Sequence, residues 1–434
     1  MPFQQQLRTI AERTQWTNDD GWSPLGAYGE YRELEMTNEI LLGFEGWIEN
    51  GKPVMDPDRP VSIPFNPKSD NPPTFLINGV RGDGKTTVAT NLYDQFIRRF
   101  GCYGFYVDPK ADMWYHAYPQ TNPEYVRFLE SVGIPPSGLP MKVITPKFLE
   151  SPKYAHTDVW YALSMEDFND PSLEPAVRNN VMQNVLGISG GSEEPSVRKL
   201  KAIMGQGPKS FEQMIKILEN INETNKTLKK VEILDINLKQ CLADKVLADG
   251  NRIDIVSTMQ RGMVVVLQVS TANEHTSSAF TAFALAQIKA GFESGKFKNK
   301  KVVIFIDEGD VLIPSGASNP PSKQPGEQAY TKWRSDGCIP GVLTQDVSKI
   351  SEVILGQVGY MITSRVSYGG PDYNFISRHY PETWSSGELN DLTKLFKGKE
   401  DVYPKEFGII GPDQEVKHFF PLLSPSLASN PEKY

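Results

Sequence analysis

The stretch TFLINGVRGDGKTTVATNLYDQF, residues 74–96, decides how the rest of the chain is read. It begins with an apolar run, passes through Gly79, Gly82 and Gly84, and continues with Val88, Leu92 and Phe96, then Phe100, at helical spacing. That is the pattern of a short strand, a tight turn and a helix. The turn matches G-x-x-x-x-G-K-T from Gly79 to Thr86. Each residue type has a physical reason to be there. Glycines let the backbone curl until several N–H groups face one anion. The helix that follows turns its positive end to the same point. Lys85 is placed for the β- and γ-phosphates of a nucleotide, and the Thr86 hydroxyl for Mg²⁺. The candidate nucleotide-binding residues are therefore Gly79, Gly82, Asp83, Gly84, Lys85, Thr86 and Thr87, with ATP and Mg²⁺ as the expected ligands.

Further strands follow from the pattern. CYGFYVDPKADMW predicts a strand ending at Asp108, and GMVVVLQVS (262–270) another. TSSAFTAFALAQIKAGFES between them and the next strand reads as a small-residue helix. CIPGVLTQD and GYMITSRVS are two more strands, and EFGIIGPDQEVKHFFPLL reads as a hairpin around Gly-Pro-Asp. Strands alternating with helices predict an α/β fold, a mostly parallel sheet covered on both faces. Residues 115–250 break this rhythm. Proline-rich turns such as GIPPSGLP alternate with polar helical segments such as SFEQMIKILENINETNKTLKKVEIL, so a largely helical insertion is expected there. The core is then 66–114 and 251–434, with 1–65 as an N-terminal extension. Within that extension QQLRTIAERTQW has an amphipathic pattern, and NGKPVMDPDRPVSIPFNPKSDNPP reads as a proline-rich connection.

The second informative piece is VVIFIDE, residues 302–308. A continuous apolar run fits a central parallel strand buried on both faces. Asp307 and Glu308 stand at its carboxyl end, where such sheets bind ligands. Asp307 is the candidate metal residue beside Thr86, and Glu308 the candidate base for an attacking water. Gln345 ends the strand after the acids and is placed to sense the γ-phosphate. Two arginines, Arg334 in YTKWRSDG and Arg365 in MITSRVSYG, are candidates for the cation that a neighbouring subunit supplies to a transferring phosphoryl group.

Composition narrows the classes. The chain has 434 residues, 39% hydrophobic and 23% charged, ordinary for a globular protein of one or two domains. Cys102, Cys241 and Cys338 show no ligand spacing and no disulfide frame, which points to a reducing compartment. The opening residues lack the apolar core of a signal peptide, and no apolar run approaches the ~20 residues of a membrane span. A cytoplasmic or virion-associated protein without an integral membrane segment is expected. Net charge is −8, so any basic surface must be local.

In order, the phosphate loop, the strand ending VDPKAD, the long insertion, GMVVVLQVS, the alanine-rich helix, VVIFIDE and VLTQD resemble the HerA/FtsK superfamily of DNA-pumping ATPases. VDPKAD is most similar to the D-P-K-G-[DE] of conjugation coupling proteins and type IV secretion ATPases, with Ala111 where glycine is usual. The resemblance covers about 74–110 and 255–425. It implies a RecA-like core, a homo-hexameric ring, and ATP-driven movement of DNA, as in viral genome packaging or plasmid transfer. It also implies the roles given above to Lys85, Thr86, Asp307, Glu308 and Gln345. Phosphate-backbone contacts to double-stranded DNA are expected, from VRKLKAIMGQGPKS (197–210) or GASNPPSKQPGEQAYTKWR (316–334). A protein-secretion or virion-assembly motor with viral or secretion partners is the second reading. A non-motor nucleotide-dependent enzyme is the third.

Overall fold

The structure is a computed structural model. It describes residues 38–422, 425 and 426, except 81, 132, 133, 135, 152, 153, 155, 172, 173, 189–192, 226, 229, 230, 251, 271–273, 317 and 398–404. The amphipathic segment 5–16 lies outside the described residues.

Among the described residues twelve strands form one sheet. They are β1 (Glu39–Glu49), β2 (Lys52–Pro64), β3 (Phe75–Asn78), β4 (Tyr103–Asp108), β5 (Met141–Pro146) and β6 (Val159–Tyr161), then β7 (Val264–Gln268), β8 (Val302–Ile306), β9 (Cys338–Thr344), β10 (Tyr360–Thr363), β11 (Phe407–Ile410) and β12 (Val416–Pro421). Their spatial order is β2-β1-β12-β11-β10-β3-β9-β8-β4-β7-β5-β6. From β10 to β6 every pairing is parallel, and from β10 to β2 every pairing is antiparallel. Parallel strands need long crossovers and are buried on both faces. Accordingly β3, β7, β8 and β9 are buried at every position.

Alternate residues of these strands feed two cores. Val303 and Phe305 of β8 face the side covered by helix α1 (Lys85–Arg98), whose Leu92, Tyr93 and Phe96 are fully buried there. Ile304 and Ile306 face the other side, with Ala279, Phe280 and Phe283 of helix α2 (Glu274–Glu293). The small residues of α2 let it lie close, and its buried positions run around the helix, as a central covering helix requires.

Two expectations need correction. The proline-rich stretch from Asn50 is not a connection: Lys52–Pro64 is β2, paired with β1. Proline is excluded from central strands because it lacks an N–H, but β2 is the edge of the sheet, where one side needs no partner. Ile40, Leu42, Val61, Ile63 and Phe65 of this region are buried under α1, so residues 39–65 are packed with the sheet. The stretch 115–250 is helical over Pro123–Ser131, Met165–Phe168, Pro175–Val185, Pro195–Met204, Phe211–Thr224 and Glu232–Ala243, as the expected helical insertion would be, but it also adds β5 and β6 to the sheet, which the sequence reading did not foresee.

Candidate active site at the carboxyl edge of the sheet

The strand order places the site. β3 carries the phosphate loop at its carboxyl end, and β8 carries the acids, with β9 hydrogen-bonded between them. The turn after β9 therefore sits between loop and acids. All these ends lie on one edge of a parallel sheet, where ligands bind.

The loop is shaped as the sequence requires. Gly82 and Gly84 have φ of 84° and 95°, the left-handed region open to glycine. A Cβ on Gly79 would sit 2.6 Å from Ser364 Oγ, so a larger residue would push that hydroxyl off Asp83. The Gly79 N–H donates to the Thr344 carbonyl at 3.3 Å. Gly84 caps α1 with no side-chain hydrogen bond. The helix thus presents first-turn N–H groups unclaimed by a capping side chain, as an anion site needs. Lys85 is buried, and its ammonium donates to the carbonyls of Gly79 (2.5 Å) and Val80 (3.1 Å). Burial, then the Lys110 charge, lowers its pKa. A buried ammonium folded onto its own loop, beside an uncapped helix start, suits a polyanionic ligand. Thr86 and Thr87 are half-buried on the first turn of α1. Asp83 is buried and accepts from Ser364 Oγ at 2.7 Å, tying the loop to the end of β10.

Asp307 follows β8, its N–H donating to the Val107 carbonyl at 3.1 Å, and its Oδ1 accepts the Glu308 N–H at 2.8 Å. Glu308 itself has φ of 52°, unusual for a residue with a side chain. Such strain persists where surrounding contacts over-determine it. Here Gln345 Nε2 donates to both Glu308 carboxylate oxygens at 3.1 Å. Lys110 Nζ lies 2.7 Å from Glu308 Oε1 and 3.0 Å from Asp307 Oδ2. Burial pushes the Asp307 carboxyl up. Burial pushes Glu308 up too, but the Lys110 hydrogen bond and charge, with Gln345, hold it below the ordinary carboxylate range. Lys110 in turn is raised by the two acids against the opposing effect of its burial.

Glu308, Asp307, Gln345 and Lys85 thus share one edge, as the sequence predicts. The arginines separate. Arg365 follows β10 at the carboxyl edge, on the strand beside β3, and is exposed. Arg334 precedes β9 at the opposite edge, where it donates to Asn71 Oδ1 and, at 3.4 Å, to the Pro72 carbonyl. Burial lowers its pKa. Lys110 is the site residue that sequence reasoning missed. Its signal was VDPKAD, read there for resemblance and not for chemistry.

The two basic segments are less available than expected. Lys199 is fully buried, with Nζ 2.6 Å from Asp235 Oδ1 and 2.7 Å from Asn222 Oδ1; Arg198, Lys201 and Lys209 are exposed. In 316–334, helix α3 (Lys323–Thr331) packs on the core through Ala329 and Tyr330, and the Tyr330 hydroxyl donates to the Phe75 carbonyl at 2.7 Å. Its second half is therefore not an open loop. Among the described residues no helix is long and apolar enough to cross a membrane.

No protein-family model matches the sequence, and no curated protein matches it either. Solved structures do. VirB4 of Thermoanaerobacter pseudethanolicus superposes with a TM-score of 0.53 at 13% identity, over 89% of this chain and 96% of that one. The bacterial conjugative coupling protein TrwBdeltaN70, in complex with sulphate, gives 0.51 at 12% identity, over 85% and 89%. The genome packaging NTPase B204 from Sulfolobus turreted icosahedral virus 2, in complex with ATP-gammaS, gives 0.38 at 12% identity, over 83% and 100%, too loose a likeness to carry an argument. The chain has the RecA-like fold that VirB4 and TrwBdeltaN70 share.

Proposed function

We propose that this chain is an ATP-driven DNA translocase, a ring motor whose subunits hydrolyse ATP to move double-stranded DNA. One observation supports it most: a phosphate loop, an acidic pair and a glutamine bonded to the second acid meet at one sheet edge. A phosphate loop alone serves switches and kinases as well. The second acid, its pKa lowered despite burial by Lys110 and its carboxylate bonded by Gln345, is what hydrolysis by water requires. DNA as cargo draws on the description of TrwBdeltaN70 as a conjugative coupling protein. In this reading 66–114 and 251–434 serve as the motor core, extended at one edge of its sheet by β1 and β2 and at the other by β5 and β6 of the 115–250 insertion.

Lys85 and the uncapped start of α1 would hold the phosphates, and Thr86 and Asp307 would hold Mg²⁺. Magnesium, when bound, neutralises phosphate charge as the leaving group departs. Glu308 orients the attacking water and accepts its proton at a carboxylate oxygen. Gln345 is bonded to that carboxylate and stands at the end of β9, so a change at Glu308 is felt along that strand. For the cation supplied between subunits, Arg365 is the stronger candidate: it is exposed at the right edge, whereas Arg334 already holds the chain entering β3. The exposed cations Arg198, Lys201 and Lys209 remain candidates for phosphate-backbone contacts.

The test is ATP hydrolysis with and without double-stranded DNA, beside Glu308→Gln. Hydrolysis should rise several-fold with DNA, and the variant should lose about 10²–10⁴-fold in kcat while still binding nucleotide. Brisk turnover indifferent to DNA would instead favour a protein-cargo motor or a non-motor enzyme.

A further inference from the structure

The residues before β5 contain a turn built to aim one side chain. Asp108, buried at the end of β4, accepts the N–H of Lys110 at 3.1 Å and the N–H of Met113 at 2.8 Å, closing residues 108–113 on themselves. Ala111 within it has φ of 59°, so the turn keeps the left-handed backbone that a glycine would adopt without strain. The result places the Lys110 ammonium across both acids of the site, 3.0 Å from Asp307 Oδ2 and 2.7 Å from Glu308 Oε1. The acids are nearly buried, at 3% and 9% side-chain exposure, while Lys110 keeps 33%. Two adjacent buried carboxylates repel, and the Lys110 ammonium is the cation set between them.

Resting on the ATPase reading of this site, we propose that Lys110 is an exchangeable counter-ion of the Asp307–Glu308 pair. Its ammonium stands on Asp307 Oδ2, so a divalent metal entering alone must compete with it for that carboxylate and binds well only when it arrives with nucleotide. It then remains with Glu308, the partner it approaches more closely, and holds that carboxylate in position. Lys110 is a positioning residue in this scheme. The metal and Lys110 share one carboxylate by turns, which couples metal entry to the arrangement of the base.

The decisive measurement is Mn²⁺ binding to the nucleotide-free protein, followed by electron paramagnetic resonance. Lys110→Met should tighten Mn²⁺ binding at least tenfold, and Asp307→Asn added to it should remove the gain. Lys110→Arg keeps a cation on the pair and should bind Mn²⁺ as weakly as the parent protein. Lys349→Met removes an exposed cation paired with Asp346 on the same edge, and should change nothing. In hydrolysis Lys110→Met should lower kcat more than tenfold with less change in KM, and Lys110→Arg should recover part of it. Equal Mn²⁺ affinity in parent and Lys110→Met, or undetectable binding in both, overturns the proposal. The titration needs no turnover. A protein that hydrolyses no ATP would sink the ATPase reading while this result still stands on its own.

Discussion

At the scale of single residues, the site keeps two uncomfortable choices. Ala111 adopts a left-handed backbone, which costs an L-residue roughly 1–2 kcal/mol. Glycine would remove that strain but brings more unfolded-state freedom, so Ala111→Gly should stabilise by about 0.5–1 kcal/mol net in urea unfolding. Asp108 is the other. Burial pushes its carboxyl up to about 7, against the pull of the Met113 N–H, with Asp307 and Asp112 adding to the rise. A carboxyl raised in the folded state binds its proton more tightly there than in the unfolded chain. Its stabilising effect is complete below the unfolded value near ~3.9 and is lost as pH climbs through about 7. Asp108 should therefore draw stability down by a few kcal/mol between about pH 4 and about pH 8. Urea unfolding at both ends should show that slope, and Asp108→Asn should flatten it. The sequence marks Asp108 as a strand end and Ala111 as standing where the resembling family has glycine. The sequence displays Asp108 and Ala111 as letters of VDPKAD, but their burial and backbone angle come from the fold around them.

At the scale of elements, legibility followed burial. β3, β8 and β9 are continuous apolar runs buried on both faces, and each sits where its run predicts. β2 was hidden because its prolines are a loop signal everywhere except at a sheet edge, and position in a sheet is not a local property. β5 was hidden because MKVITP is short and flanked by prolines, so its partner β7, more than a hundred residues on, decides its state. The site was legible for a related reason. Its residues lie at strand ends and in one contiguous loop, where spacing reports geometry. Lys110 meets its acids only through tertiary contact. β9 also carries a packing constraint that sequence would not reveal. A Cβ on Gly341 would come within 2.4 Å of the Phe305 ring, which packs against Tyr93 at 5.0 Å and Phe75 at 6.0 Å. The ring has no room to yield. Gly341→Ala should cost about 1–3 kcal/mol in chemical unfolding, with Glu308 and Gln345 chemistry disturbed only as β8 and β9 shift.

At the scale of the whole molecule, the question is whether the site is complete in one chain. Among the described residues, the cations beside the acidic pair are Lys85 and Lys110, one on the phosphate loop and one on the acids. Arg365 stands exposed at the same edge, on the strand flanking β3. In a ring of head-to-tail subunits, an edge of one chain faces a different surface of the next. An arginine that acts across that boundary makes a mixing test possible. Lys85→Ala subunits keep Arg365 but cannot hold nucleotide. Arg365→Ala subunits hold nucleotide but lack the cation. Neither preparation should hydrolyse ATP at more than a small fraction of the parent rate. Mixed in equal amounts, about a quarter of the boundaries in a randomly assembled ring join an intact loop to an intact arginine. Activity should then return to a comparable fraction of the parent rate, whereas Arg334→Ala subunits should hydrolyse ATP on their own and gain nothing from mixing. Recovery with Arg334→Ala instead would move the trans cation to the opposite edge. No recovery with either, from rings shown to have exchanged subunits, would mean that one chain completes its own site.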